Sequence, residues 1–315
     1  MRALFYLFIF VLITGAPPAF AVENYNAKQL DFRTGYRGHT FVYHYKWLSR
    51  SGQEQKMSFE LKKQMAQSSN REFKRYSPEE EMQYVLAAMR DYKPIHPQIE
   101  VSVQRLEKSY RISYAGFFTD AEIAKEKQAV EQYLKGLEQV YFKNSLYRLD
   151  ERWGRLPDYI QIAQAYAPRV RPVAEAIDNN TRGFTPREKI NYALEFLQSI
   201  PYDKLLKREN SNGSGYATPV ELLSRNIADC DSKSVALMSI LKNLFPQTPM
   251  VMVIVPGHAF VGVATALQPG DANIHLAGQT YVLAEPVGPA LHPLGQVSAQ
   301  SLQGLQKKDF SYLSF

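Results

Sequence analysis

Cys230 is the only cysteine of the 315-residue chain, and it lies between Asp229 and Asp231 at the start of an apolar segment. One cysteine cannot form an intrachain disulfide, so the thiol is an inert buried group, an intermolecular bridge or a nucleophile. A nucleophilic thiol needs a base that takes its proton and a third group that orients the base. His258 and Glu285, further along the chain, are the candidates for these two roles.

The elements predicted around these three residues can bring them together. An apolar helix begins at Cys230, and a continuous apolar run from Met250 to Val255 is typical of a strand that is buried on both faces. A second strand begins at His258, and a third, Gln279 to Glu285, ends in the acid. Spacings of 28 and 27 positions leave room for these elements and their connections, so the sequence permits convergence of the three side chains.

The predicted position of the thiol also affects its reactivity. The N-terminus of a helix presents free N–H groups and the positive end of the helix dipole, so we expect it to lower the pKa of Cys230. Asp229 and Asp231 oppose this effect if they face the sulfur. We expect them instead to cap the helix by accepting its N–H groups.

The rest of the chain reads as a mixture of helices and strands. Thr185-Pro186-Arg187-Glu188 and Thr218-Pro219-Val220-Glu221 are helix starts with a capping box and proline in the first turn. Earlier, apolar residues alternate at strand period around Phe41–Trp47 and again around Ile99–Val103, and a long helix is predicted from Thr119. This first half contains no recognisable chemistry.

The domain organisation follows from these patterns. The stretch from Arg148 to Pro157 is polar and without period, so it is the predicted domain boundary. The division is a signal peptide at 1–21, a mixed α/β region of unknown role at 22–150, and a domain at 151–315 that holds the three candidate residues.

The N-terminus predicts export. Arg2 precedes an uncharged apolar stretch from Leu4 to Gly15, and Ala19-Phe20-Ala21 is a small-x-small cleavage site. The apolar stretch is short for a membrane span, although an uncleaved anchor is the alternative. Export without a disulfide framework favours the bacterial periplasm, so we expect a periplasmic or secreted protein with no membrane span after cleavage at Ala21.

Composition argues against several classes of function. The formal net charge of +6 is interspersed along the chain, which is not a nucleic-acid-binding pattern. No Walker or dinucleotide glycine motif occurs in a suitable context, so no nucleotide cofactor is expected. No metal is expected either, because the remaining histidines show no ligand spacing; they are His39, His44, His96, His275 and His292.

The segment from about Thr185 to Gly288 resembles the transglutaminase-like core of bacterial cysteine peptidases. The matching motifs, in order, are Pro201-Tyr202-Asp203, Thr218-Pro219-Val220-Glu221-Leu222, Ala228-Asp229-Cys230-Asp231 and Gly257-His258-Ala259. This resemblance implies that Cys230 is the nucleophile, His258 the general base and acid, and Glu285 the orienting acid. The fold it implies is α+β and papain-like, with the cysteine helix packed on an antiparallel sheet.

The chain departs from the family pattern in three places. Ala228 stands where glycine is usual, Ser232 replaces an acidic residue, and Glu285-Pro286 stands where Asp-Pro is usual. The backbone N–H of Cys230 is the expected oxyanion donor, and Tyr202 is a candidate for the side-chain donor.

Together these features predict an exported thiol hydrolase that cleaves an amide or isopeptide bond through a Cys230 acyl-enzyme. Its location suggests a peptide or protein substrate of the cell envelope. If an amine instead of water resolves the acyl-enzyme, the same three residues support an acyl transferase that cross-links proteins. Two further alternatives are a catalytically silent transglutaminase-like module that binds an envelope partner, and a redox sensor that uses the lone thiol.

Overall fold

The computed structural model describes residues 28–66, 73–207 and 215–315. The predicted signal peptide at 1–21 lies outside these ranges. The strands are β1 (Lys28–Arg37), β2 (Thr40–Leu48), β3 (Glu54–Lys62), β4 (Ile99–Arg105), β5 (Tyr110–Gly116), β6 (Tyr147–Asp150), β7 (Gly154–Pro157), β8 (Met250–Val255), β9 (His258–Val263), β10 (Asn273–Leu276), β11 (Gln279–Ala284) and β12 (Ser311–Ser314). The helices are α1 (Pro78–Met89), α2 (Asp120–Asn144), α3 (Tyr159–Tyr166), α4 (Arg171–Asn180), α5 (Pro186–Ser199), α6 (Pro219–Arg225), α7 (Cys230–Leu244) and α8 (Ala299–Gln306). The protein is therefore α+β, as the sequence predicts.

A five-stranded antiparallel sheet in the order β10-β11-β9-β8-β12 lies next to the candidate residues. Every residue of β8 is buried, because α7 and the main core cover one face of the sheet and a second apolar cluster with α8 covers the other. Between β8 and β9 the chain turns at Gly257, whose φ of 70° is readily adopted only by glycine. This turn makes His258 the first residue of β9, paired with Val255.

The three-stranded sheet β1-β2-β3 packs on the helices that precede the site. Tyr45 and Trp47 of β2 make edge-to-face contacts with aromatic residues of α5, Phe196 and Tyr192, at centroid distances of 4.9 and 5.4 Å. The hydroxyl of Tyr45 donates to the carbonyl of Leu223 in α6 at 2.6 Å. One buried cluster thus contains residues from β2 and β3 and residues from α5, α7 and β8. The core crosses residue 150, and the proposed division into domains there stays a prediction.

A smaller unit consists of α1, α2 and the β4–β5 hairpin around a separate core of Val85, Met89 and Val130. Thr185 at α5 and Thr218 at α6 form the predicted capping boxes, and Thr119 begins the predicted long helix α2 with a capping box of the same kind. The Arg148–Pro157 stretch differs from the irregular linker expected there, because it forms most of the β6–β7 hairpin. Four-residue strands are too short to show a period of two, which is why the sequence pattern missed them.

Among the described residues, no helix has the length and apolar character needed to cross a membrane.

Candidate functional site

Cys230 occupies the first position of α7, as the sequence predicts. Asp229 is the N-cap, and its carboxylate accepts the N–H of Ser232 at 3.1 Å. The sulfur accepts the backbone N–H groups of Asp231 and of Ala259, the residue that follows His258. The contact with Ala259 places the thiol beside the start of β9.

The electrostatics of the thiol differ from the expectation. Burial raises the pKa of Cys230, and the carboxylates of Asp231 and Asp229 raise it further, against the smaller lowering effect of the two backbone N–H groups. Both aspartates cap the helix as predicted, since Asp231 also accepts the N–H of Ser232, at 3.2 Å. They nevertheless remain close enough to repel a thiolate, so the predicted lowering of the thiol pKa is wrong.

His258 and Glu285 are hydrogen-bonded to each other. The distance from His258 Nε2 to Glu285 Oε1 is 2.9 Å, and both side chains are almost fully buried. This contact arises because β11 pairs antiparallel with β9, so that the residue after Ala284 returns along β9 toward His258. With Nε2 engaged by the acid, Nδ1 is the ring nitrogen left for the thiol.

The Glu285 carboxylate is held in its ionised form. Burial raises the pKa of Glu285, but hydrogen bonds from His258, the Ser298 N–H and the Ser301 hydroxyl outweigh burial and leave the pKa below its usual value. The Ser298 and Ser301 groups donate to Oε2 at 2.8 and 2.9 Å. Because Glu285 is ionised, the proton on the shared hydrogen bond belongs to Nε2 of His258.

Ser298 and Ser301 did not emerge from the sequence as site residues. Ser298 is the N-cap of α8, and its own N–H donates to Glu285, so the positive end of the helix dipole lies beside the carboxylate. The available signal was a serine N-cap shortly after the acid. That signal identifies a helix start and does not say which carboxylate the helix faces.

Tyr202 lies on the segment that pairs with the residues just before Cys230. It forms a parallel bridge with Ala228, and its side chain is 45% exposed. Burial of the hydroxyl, followed by the charge of a Cys230 thiolate, raises the pKa of Tyr202 to about 12. The phenol therefore keeps its proton near neutral pH and can donate a hydrogen bond.

The support of Glu285 by α8 gives a testable prediction. Ser301→Ala removes a hydrogen bond to a buried carboxylate, so we expect the free energy of unfolding to fall by about 1–3 kcal/mol. The pKa of Glu285 is also expected to rise toward its usual value. Glu285 then becomes protonated at higher pH than in the native protein, and the acidic limb of Cys230 alkylation by iodoacetamide moves to higher pH.

The matched control is Gln303→Ala, an exposed position on the same helix. Alkylation profiles and unfolding curves of the two variants separate a general effect on α8 from the loss of the Glu285 contact. An unchanged acidic limb in Ser301→Ala would show that this hydroxyl does not tune the acid.

Comparison with protein-family models, with curated proteins and with solved structures found no match to this chain. The transglutaminase-like resemblance therefore rests on the motifs alone. Within the described residues, no group of three or more histidine, cysteine, aspartate or glutamate side chains is arranged to hold a metal ion.

Proposed function

We propose that the protein is an exported thiol hydrolase that cleaves an amide or isopeptide bond of a peptide or protein through a Cys230 acyl-enzyme. The observation that carries this proposal is the 2.9 Å bond between His258 Nε2 and Glu285, with the Cys230 sulfur bound to the next backbone N–H, that of Ala259. A thiol, an imidazole and a carboxylate in this order are the components of cysteine nucleophilic catalysis.

In the proposed reaction, the sulfur attacks the carbonyl carbon while its proton passes to Nδ1 of His258. Burial and the two aspartates favour the neutral thiol at rest, so proton transfer accompanies attack and does not precede it. The new C–S bond replaces the C–N bond, and His258 returns the proton to the leaving amine. Water then hydrolyses the thioester, with His258 again acting as base.

Two groups are candidates for stabilising the oxyanion of the tetrahedral intermediate. The backbone N–H of Cys230 is at the start of α7, where helix N–H groups lack intrahelical acceptors. The Tyr202 hydroxyl stays protonated and lies close enough to Cys230 for the thiolate charge to affect its pKa. The proposed fold of this part is papain-like, with α7 against the antiparallel sheet, and the predicted signal peptide supports a substrate in the cell envelope.

The test uses p-nitrophenyl acetate as a generic acyl donor, followed by intact-protein mass spectrometry. We expect one acetyl group on Cys230, which then disappears as water hydrolyses the thioester. Adding a simple alkylamine distinguishes transfer from hydrolysis, because an acyl transferase yields the N-alkylacetamide in preference to acetate. Peptide amides of aminomethylcoumarin then test cleavage of the amide bond itself. Absence of both acylation and amide cleavage would refute the proposal.

The second candidate is a catalytically silent envelope-binding module. The raised pKa of Cys230 favours it, since two carboxylates beside a buried thiol oppose thiolate formation. The rate of Cys230 alkylation decides between the two functions. The enzyme requires alkylation near neutral pH that depends on His258, whereas the silent module requires slow alkylation that does not.

A further inference from the structure

Lys233 is a fully buried lysine in the first turn of the cysteine helix. Its side chain is 0% exposed, and its ammonium donates a hydrogen bond to the carbonyl of Ile200. Removing an ammonium group from water costs several kcal/mol unless nearby groups compensate. Such a residue therefore needs compensating partners, and its partners here belong to the site.

The hydrogen bond of Lys233 joins two backbone segments next to the thiol, the start of α7 and the residues that follow α5. Ile200 follows α5 and leads into the segment that carries Tyr202. This segment is bound to the residues before Cys230, since Ala228 donates to the carbonyl of Pro201 at 3.3 Å and accepts from Asp203 at 3.1 Å. Lys233 thus links the helix that begins at Cys230 to the segment that holds Tyr202.

The charge of Lys233 also acts on the thiol. Burial lowers the pKa of Lys233 to about 7, while Asp229 and Cys230 act in the opposite direction and favour the ammonium. Asp229 has its own pKa raised by burial and by Asp231. Lysine, thiol and carboxylates are therefore one electrostatic cluster.

The other titratable groups around this cluster are mostly acids and phenols. Tyr159 of α3 donates to Asp231 at 2.8 Å, and Tyr216, ahead of α6, interacts with both aspartates. Glu221 of α6 faces Tyr216 and is paired with Arg225. The other titratable neighbours of the cluster are Tyr202, which interacts with Asp203, and His258, which is bonded to Glu285. Against these groups, Lys233 is the buried cation of the cluster, and its ammonium form is favoured by Asp229 and Cys230.

We propose that Lys233 is a positioning residue of the Cys230 site, whose ammonium ties the Ile200 segment to α7 and offsets Asp229 and Asp231 when the sulfur becomes a thiolate. The inference rests on the proposed function, since it assigns the lysine a role in that reaction. It explains how a nucleophile can work between two carboxylates. Lys233 acts through the thiol and does not touch the substrate.

The test is the pH dependence of Cys230 alkylation by iodoacetamide in the native protein, Lys233→Met and Lys233→Gln. Methionine removes the charge and the hydrogen bond, whereas glutamine keeps a donor without the charge. We expect the apparent pKa of alkylation to rise by about one unit or more in both variants, so that the rate near pH 7 falls at least about tenfold. Lys242→Met, at the exposed end of the same helix, is the matched control and should behave like the native protein.

The electrostatic role of Lys233 would be overturned if the apparent pKa of Cys230 alkylation in folded Lys233→Met or Lys233→Gln were the same as in the native protein. If both variants fail to fold, the native protein and Asp229→Asn still decide. Titration of ¹⁵N-labelled Lys233 by NMR should give a lower lysine pKa without the Asp229 carboxylate, and an equal value in the two proteins contradicts the inference. Failure of the proposed function appears separately, as a native Cys230 that p-nitrophenyl acetate does not acylate.

Discussion

Replacing Cys230 by alanine is expected to abolish acyl-enzyme formation and all amide turnover that depends on it. The thiol is the only cysteine of the chain, and none of the other groups near His258 has comparable nucleophilicity. A rate loss at the upper end of what cysteine and serine catalysis supplies, about 10⁶-fold, leaves turnover at background. The measurement is hydrolysis of peptide amides of aminomethylcoumarin by native and variant protein.

The structure also predicts that this variant folds. Alanine fits the first position of a helix, and the capping bond from Ser232 to Asp229 does not involve the sulfur. Thermal unfolding of Cys230→Ala should therefore remain cooperative, with a midpoint lowered only by the loss of the sulfur as acceptor for the Asp231 and Ala259 N–H groups. Unchanged amide turnover in a folded Cys230→Ala protein would eliminate the acyl-enzyme mechanism.

Local signals were enough to predict the elements that position the candidate residues. Thr185 and Thr218 begin helices with reciprocal capping bonds, because Thr-Pro-x-Glu satisfies free N–H groups within four residues. The apolar run at Met250–Val255 indicated a strand covered on both faces, which is its position in the sheet. Both signals operate within a short stretch of chain, and for this reason a single sequence reveals them.

The pairing of His258 with Glu285 could be anticipated only as a possibility. It depends on β11 lying next to β9 in antiparallel register, and alternation does not determine which strands become neighbours. The same limit applies to the first half of the chain. Strands β2 and β4 were predicted, but β1 and the packing of β2 against α5 across the proposed boundary at residue 150 were not.

The electrostatics of the site were the least predictable feature. The helix position of Cys230 suggested a lowered pKa, but the effect of Asp229 and Asp231 depends on the distance of their carboxylates from the sulfur. The support of Glu285 by Ser301 and the burial of Lys233 depend on contacts between elements far apart in sequence. All three effects are set by tertiary packing. Packing of this kind changes the pKa of a side chain, but no short sequence motif reports it.

Because the raised pKa keeps the thiol protonated, we expect the loss of His258 to slow the reactions of Cys230 more than it would if the sulfur were already a thiolate. In His258→Ala the thiol loses its proton acceptor, and burial and the two aspartates oppose spontaneous ionisation. We therefore expect alkylation of Cys230 by iodoacetamide near pH 7 to fall by about 10²–10⁴-fold, the range that general base catalysis supplies. Because the pKa of the thiol lies above its usual value, the lost rate should return only as the pH is raised well into the alkaline range.

The variant also leaves Glu285 without its imidazole partner, although Ser298 and Ser301 still donate to Oε2. The free energy of unfolding should fall by about 1–3 kcal/mol, so the assay is run well below the unfolding temperature. His275→Ala is the matched control, since His275 is exposed on β10 and bonded to Thr280. Equal alkylation rates in the native protein, His258→Ala and His275→Ala would leave the thiol without a base and favour the silent binding module. A rate loss confined to His258→Ala, recovered at high pH, identifies His258 as the group that takes the proton of Cys230.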